Sequence, residues 1–438
     1  MKFIIRGGKK LEGEIRLAGA KNAATKMMVA SILTSEPCVL ENFPEIGDTE
    51  ITAELCRSIG SNIEVENRPD GSVLKIHTPE IKNSKVISLS RRNRIPILAL
   101  GPLLARVGEA EVPILGGDKI GPRPVDIHIN ALTAMGAEIE ILEDRYVASA
   151  KNGLHGANIT FRYPSVGATE NTILAAVLAV GLTEIHNAAV EPEVLDLIKM
   201  LQQMGAIIEV GANRNIYIDG VKELRGVTYR IMPDRNEAVS FASLAVATGG
   251  RILVKEARHD DLITFLNVLR KIGGEYEIQS GGIVFYRPPE NKILKPANIE
   301  TDPYPGFMTD WQQPVAVLLT QADGDSTIHE TVYEDRFSYV KDLNLMGAEI
   351  KVFSQCLGGG SCRFAGRDHN HSAAIHGPSK LKAANLEVRD LRSGIAHIIA
   401  ALIADGESVI TGAEEIDRGY ERIDERLRKL GASIIRKE

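Results

Sequence analysis

One aspartate stands where a carboxylate has the company to do chemistry. Asp118 lies in LGGDKIGPRP, with Gly116 and Gly117 before it, Lys119 and Arg123 after it, and Pro124 closing the stretch. Asp310 lies in MTDWQQP, at the entrance to an apolar segment. A carboxylate serves as general acid or base according to its protonation state, and neighbouring glycines allow it to swing. Polar residues also lead into five other apolar segments: Lys21 and Asn22 of GAKN, Arg94 of SRRNR, Ser165 and Gly167 of PSVGATEN, Asp234, Arg235 and Glu237 of MPDRNE, and Arg392 of VRDLRS. Helix N-termini expose unpaired N–H groups and partial positive charge, so such positions hold anions when cations stand near. Capping accounts for an Asp, Ser or Asn at any one of them. It does not account for the lysine and arginines, so the set predicts an anionic ligand.

The elements that carry these residues repeat. A glycine following an apolar-periodic segment and preceding an alternating one recurs at Gly60, Gly136, Gly205, Gly273, Gly347 and Gly431, in SIGSNIEV, AMGAEIEI, QMGAIIEV, KIGGEYEI, LMGAEIKV and KLGASIIR. Six copies every 68 to 84 residues make internal repetition the dominant fold signal. In EPEVLDLIKMLQQMG the apolar positions Val194, Leu197, Leu201 and Met204 follow helical spacing and predict a half-exposed helix stopped by glycine. Upstream in each copy comes a segment apolar nearly all round, such as TILAAVLAVGL or SGIAHIIAALIADG, which predicts a helix buried on all sides. Each unit therefore reads as buried helix, strand, surface helix, strand, strand.

The last copy ends one strand short, while the chain opens on an unassigned strand, KFIIRG. The N-terminal strand is expected to complete the last repeat. The prediction is an α/β protein of two three-repeat domains: residues 21–232, carrying a mobile loop over 111–125, and a discontinuous domain of 1–20 plus 233–438. A cleft between the two is the expected ligand site.

Bulk properties narrow the function classes. A chain of 438 residues exceeds one core, and 25% charged with 44% apolar residues is ordinary globular composition. The formal net charge of -7 argues against general nucleic-acid binding. The start MKFIIRGGKKLEG does not read as a signal peptide, the apolar runs fall short of the roughly 18 residues that span a bilayer, and four scattered cysteines do not make a disulfide scaffold. A cytoplasmic protein without a membrane or nucleic-acid partner is expected.

GAKNAA, LGGDKIGPRPVDIHI, PSVGATEN, PDRNEA, TDWQQP, ETVYEDRF and IDRGYERI, in this order nearly end to end, resemble the enolpyruvyl transferase family in its UDP-N-acetylglucosamine 1-carboxyvinyltransferase branch. The resemblance implies two inside-out α/β barrel domains of three repeats each. It implies transfer of the enolpyruvyl group of phosphoenolpyruvate to the 3-hydroxyl of the UDP-sugar, with release of phosphate and no cofactor, as the first committed step of peptidoglycan synthesis. Asp118 matches the mobile proton donor, which is cysteine in most of the branch. Asp310 matches the base that accepts the hydroxyl proton. Lys21, Asn22, Arg123 and Arg418 match the phosphoenolpyruvate contacts. Arg94, Arg123, Pro124, Val125, Asp126, Ile127, Ser165, Val166, Gly167, Asp310 and Val332 match the UDP-sugar contacts. Arg336 and Arg392 are further candidates, a domain-closing ion pair being the alternative for each.

Aspartic acid is almost wholly ionised at neutral pH, so donation requires surroundings that favour its protonated form by roughly 3 to 4 kcal/mol. Lys119 and Arg123 oppose this; the substrate's phosphate and carboxylate, with desolvation on loop closure, favour it. Asp118 is therefore expected to become an acid only in the closed, loaded state. A carboxylate is also a poorer nucleophile than a thiolate toward the epoxide fosfomycin, which alkylates the cysteine form of this branch, so insensitivity is expected.

Two features depart from the branch. Tyr163 stands where many members place a basic residue near the nucleotide. The stretch QCLGGGSCRFAGRDHNHS lengthens the fifth repeat. Its Cys356, Cys362, His369 and His371 match no strong zinc template, so a solvated hairpin loop is expected and no metal site. Three alternatives carry less of the pattern: the sister transferase acting on shikimate 3-phosphate, a silent UDP-sugar-binding regulator, and a clamp-like interaction module. The oligomeric state is not legible.

Overall fold

The computed structural model describes residues 1–438 apart from 69, 87–93, 115, 117–124, 292 and 359–361. The chain forms two compact units, which change over between Leu17 and Ala18 and between Met232 and Pro233. Each has its own hydrophobic core.

In the unit of residues 18–232 the buried helices are α1 (Lys21–Ala30), α2 (Leu100–Val107, entered through a tighter turn at Ile95–Ala99) and α3 (Val166–Ala176). In the unit of residues 1–17 and 233–438 they are α4 (Arg235–Thr248), α5 (Gln312–Leu319, entered through a turn at Thr309–Trp311) and α6 (Leu391–Ile403). In α6 every residue from Leu391 to Leu402 is buried. Its long aliphatic side chains each contribute about 1.5 to 3 kcal/mol on leaving water, and this burial on all sides is what its uninterrupted apolar sequence specifies.

The six surface helices are Gly47–Ile59, Asp126–Ala134, Pro192–Gln203, Ile263–Ile272, Val340–Leu345 and Ile423–Lys429. Just beyond their ends stand the six recurring glycines, all with φ between 95° and 130°. A side chain is strained in that left-handed region, so each helix stops there and the chain turns into the next strand.

Among the described residues there are six sheets, five of four strands and one of three. The N-terminal strand Lys2–Arg6 lies antiparallel between Glu407–Thr411 and Ser433–Lys437. One component differs from the predicted unit. A short strand before a buried helix pairs in parallel with the strand that follows a buried helix: Asn158–Thr160 beside Leu182–His186, Asn298–Glu300 beside Gly324–His329 and Asn385–Glu387 beside Glu407–Thr411 each flank the helix between them, whereas Glu12–Arg16 beside Arg251–Lys255 and Thr228–Arg230 beside Cys38–Phe43 join the sheet of another repeat. Four of these are three residues long, too short to carry an alternating pattern, and only the neighbouring sheet makes them strands.

Candidate functional site

In the unit containing α4, α5 and α6, the three helix mouths meet. Asp234 caps α4, accepting from the amides of Asn236 (2.7 Å) and Glu237 (3.2 Å). Asp390 caps α6, accepting from the amides of Arg392 and Ser393, both at 3.0 Å. Trp311, at the mouth of α5, donates its indole N–H to Asn236 in the first turn of α4 (3.0 Å). Arg392, in the first turn of α6, donates Nε–H to Asp310 Oδ2 (3.1 Å), and Arg336 donates to Asp310 Oδ1. The guanidiniums of Arg336 and Arg392 are almost wholly buried. Burial opposes the charge of each, but the Asp310 carboxylate, aided at Arg336 by Asp390 and Glu330 and at Arg392 by Tyr420 and Asp234, outweighs it and raises both pKa values. Both arginines hold Asp310, a residue of their own unit. Arg392 also reaches the Tyr420 hydroxyl (3.4 Å), which shares a hydrogen bond with Ser240 (2.9 Å).

Glu330 connects Asp310 to Val332. Its fully buried carboxylate accepts from the amides of Val332 (2.8 Å) and Tyr333 (2.9 Å) through Oε1, and from Thr309 Oγ1 (2.9 Å) and the Gln312 amide through Oε2. The segment carrying Val332 is thereby tied to the two residues flanking the Asp310–Trp311 turn. Sequence reasoning gave Glu330 no role, although it opens the motif ETVYEDRF. Arg418 follows the short helix Ala413–Asp417 and donates to Glu415 (2.7 Å).

In the other unit, Lys21 and Asn22 open α1, whose N-cap Ala20 offers no side-chain cap. Lys21 pairs with Asp48 at 2.7 Å, both largely buried. Ser165 is the N-cap of α3, its hydroxyl accepting from the Ala168 amide (3.4 Å), with Val166 and Gly167 in the first turn. One turn inside, Lys26 of α1 lies 3.7 Å from Glu170 of α3, so the two mouths share one end of the unit. Glu170 is fully buried; burial pushes its pKa up to about 7 against the pull of Lys26.

Val125 is the N-cap of the surface helix begun by Asp126 and Ile127, which packs on α3. His128 of that helix is buried, and a Cβ at Gly167 would lie 3.2 Å from its ring, so the first turn of α3 closes on it. Burial, with the charge of Arg94 adding to it, holds the His128 pKa down to about 3, a neutral imidazole. Arg162, which sequence reasoning passed over in favour of its neighbour Tyr163, pairs with Asp126. Asp118, Arg123 and Pro124 lie outside the described residues.

The lengthened fifth repeat is not a wholly solvated hairpin. His371, which ends the connection between strands Glu349–Phe353 and Ser372–Gly377, is fully buried, because the loop folds back over His329 at the end of strand Gly324–His329.

Residues 5–427 match the family described as EPSP synthase (3-phosphoshikimate 1-carboxyvinyltransferase). The UDP-N-acetylglucosamine 1-carboxyvinyltransferase of Protochlamydia amoebophila (strain UWE25) is 47% identical over 436 residues, 98% of this chain and 93% of that protein. The protein of the same name from Chlamydia trachomatis serovar D is 48% identical over 433 residues, 98% of this chain and 96% of its own. That from Novosphingobium aromaticivorans is 41% identical over 440 residues, 99% of each chain. Among solved structures, the enolpyruvyl transferase NikO from Streptomyces tendae superposes with a TM-score of 0.85 at 21% identity, covering 99% of this chain and 98% of its own. An EPSP synthase from Acinetobacter baumannii gives 0.73 at 17% identity, covering 99% of each. These likenesses establish the enolpyruvyl transferase fold of repeated α/β units. With the family match and the near full-length relatives, the chain belongs to the EPSP synthase family of enolpyruvyl transferases.

Proposed function

We infer that this protein transfers the enolpyruvyl group of phosphoenolpyruvate to the 3-hydroxyl of UDP-N-acetylglucosamine, releasing phosphate, and so commits the sugar to peptidoglycan synthesis in the cytoplasm. The observation that carries this reading is identity of 47 to 49% to transferases of that name over 97 to 98% of the chain. The arrangement around Asp310 supports it.

Asp118 protonates C3 of phosphoenolpyruvate, leaving C2 cation-like. The sugar 3-oxygen attacks C2 as Asp310 accepts its proton. Departure of phosphate with loss of a C3 proton restores the double bond, so the acceptor gains one carboxyvinyl group and loses one hydrogen. Arg336 and Arg392 hold the Asp310 carboxylate by both oxygens, which leaves it one orientation in which to receive the hydroxyl.

Lys21, Asn22, Arg123 and Arg418 take the phosphoenolpyruvate anion. At an effective dielectric near 20 each close cation contributes a few kcal/mol. Arg94, the segment Arg123–Pro124–Val125–Asp126–Ile127, the first turn of α3 at Ser165, Val166 and Gly167, and Val332 take the UDP-sugar. The amides at the uncapped positions of that turn suit a phosphate oxygen.

The test is phosphate release from phosphoenolpyruvate with each acceptor supplied in turn. Release with UDP-N-acetylglucosamine, and a product heavier by one carboxyvinyl group, is expected. Release with shikimate 3-phosphate alone, or with neither acceptor, would overturn the reading.

A further inference from the structure

Four side chains with good zinc-ligand chemistry meet at the lengthened fifth repeat. One donor atom from each of His329, Cys356, Cys362 and His371 lies within 4.8 Å of all the others. Cys356 Sγ is 3.3 Å from His371 Nε2. Both imidazoles are buried and turned by their other nitrogen. His329 Nδ1 lies 2.7 Å from Glu300 Oε2, and His371 Nδ1 lies 2.7 Å from the His369 carbonyl oxygen. A carboxylate and a carbonyl only accept, so both Nδ1 atoms carry the proton and both Nε2 atoms present a lone pair. His329 Nε2 is buried and, among the described residues, has no hydrogen-bond partner. An orphaned acceptor in that position lacks what it was turned to meet.

The rest of the loop fits the same purpose. Cys362 Sγ accepts from the Phe364 amide (3.3 Å), and the buried Phe364 ring packs on His371. Gly358 crosses directly over the His329–Glu300 pair, where a Cβ would lie 1.8 Å from the carboxylate oxygen and 2.2 Å from Nδ1. Only glycine lets the loop lie there.

We propose that His329, Cys356, Cys362 and His371 bind one zinc ion, which fastens the loop between Phe353 and Ser372 to the end of strand Gly324–His329. Zinc–sulfur bonds of about 2.3 Å and zinc–nitrogen bonds of about 2.0 to 2.1 Å set tetrahedral ligand atoms roughly 3.3 to 3.8 Å apart, so the cluster needs to tighten by about 1 Å at its widest. Two thiolates and two imidazoles select zinc over calcium or magnesium, and their charge neutralises the ion. The two thiol protons leave to solvent. Four protein ligands close the coordination sphere, making the ion structural. Glu300 is a positioning residue, orienting His329 from outside. The ion braces the residue before Glu330, and Arg363 of the same loop adds a second tie by pairing with Glu334 at 2.9 Å. His369, a ligand candidate from sequence, contributes its carbonyl oxygen, while His329, from another strand, takes its place in the cluster.

The test is metal content of the purified full-length chain after zinc loading and removal of free metal, read by elemental mass spectrometry. About one zinc per chain is expected, with two thiols that become reactive only after chelation. Cobalt replacement should give thiolate-to-metal charge transfer and the strong visible bands of a tetrahedral centre. Cys356→Ser and Cys362→Ser should each lower zinc to below about 0.1 per chain, while Cys38→Ala retains it. Glu300→Gln should weaken zinc affinity by about 10- to 100-fold. Less than about 0.1 zinc per loaded wild-type chain, or a Cys356–Cys362 disulfide that persists in reductant, would overturn the proposal. These readouts need no substrate, so they stand apart from the assignment of activity.

Discussion

Replacing Glu330 separates a buried charge from the hydrogen bonds it makes. In Glu330→Gln one carboxylate oxygen becomes an NH2 group, and the four donors around it decide which. On the Oε1 side stand the amides of Val332 and Tyr333, which cannot turn. On the Oε2 side stand Thr309, whose hydroxyl can rotate to accept, and Gln312, whose amide can flip only by losing the bond its Oε1 accepts from Tyr339 (3.1 Å). The new NH2 therefore faces Thr309 and Gln312, and one or two charge-assisted bonds are lost at about 1.5 to 3 kcal/mol each. Burial pushes the Glu330 pKa up, so removing the charge returns part of that. The expected loss of stability is about 2 to 4 kcal/mol, with the Val332 segment still held and the KM for UDP-N-acetylglucosamine within about threefold of the parent. Glu330→Ala frees the Val332 and Tyr333 amides as well; it should cost more than about 4 kcal/mol and raise that KM by more than about tenfold. Urea unfolding at pH 7 and steady-state phosphate release, run on both variants, measure the two effects. If Glu330→Ala unfolds within about 1 kcal/mol of the parent with its acceptor KM unchanged, the account of this carboxylate is wrong.

Asp310→Asn should lower kcat by about 100- to 10,000-fold, the range for losing a general base, and should also cost stability, because the buried Arg336 and Arg392 lose their carboxylate partner; a kcat within threefold of the parent contradicts that role. Glu170 bears on pH. Burial raises its folded pKa from 4.5 to about 7, so between those values the folded protein holds a proton that the unfolded chain has released, and stability falls as pH rises across that window by about 3 kcal/mol. Denaturant unfolding from pH 4.5 to 7.5 should show this slope in the parent and a flatter one in Glu170→Gln; equal slopes refute it. Preincubation with fosfomycin and UDP-N-acetylglucosamine should leave the parent's mass unchanged and add one covalent adduct to Asp118→Cys. The pH–activity profile of that variant should also shift, because a thiol and a carboxyl lose their protons over different ranges; profiles that coincide contradict an acid role for Asp118.

Much of the architecture was legible because local spacing carries it. The six glycines are where a left-handed residue must end a surface helix, and the all-apolar segments are helices with no wet face. Asp234, Ser165 and Asp390 act as caps because their side chains reach amides two or three residues ahead, a purely local geometry. The short parallel strands were not legible, since three residues such as Asn298–Glu300 become a strand only when a sheet edge, here Gly324–His329, is beside them. Nor was the role of Arg336 and Arg392, which sequence reasoning left open to ion pairing between domains.

The order and spacing of residues alone determined the six-fold repetition, the buried and exposed helices and the family motifs, and the resemblance those motifs carry marks Asp118 and Asp310 as candidate acid and base. These follow from periodicity and from chemistry each residue carries with it. Tertiary structure alone decided the partners. Asp310 meets guanidiniums 26 and 82 residues away, and His329 meets Cys356, Cys362 and His371 from a different strand. Such contacts depend on how whole repeats pack, a sum of many small burial energies that no local pattern records.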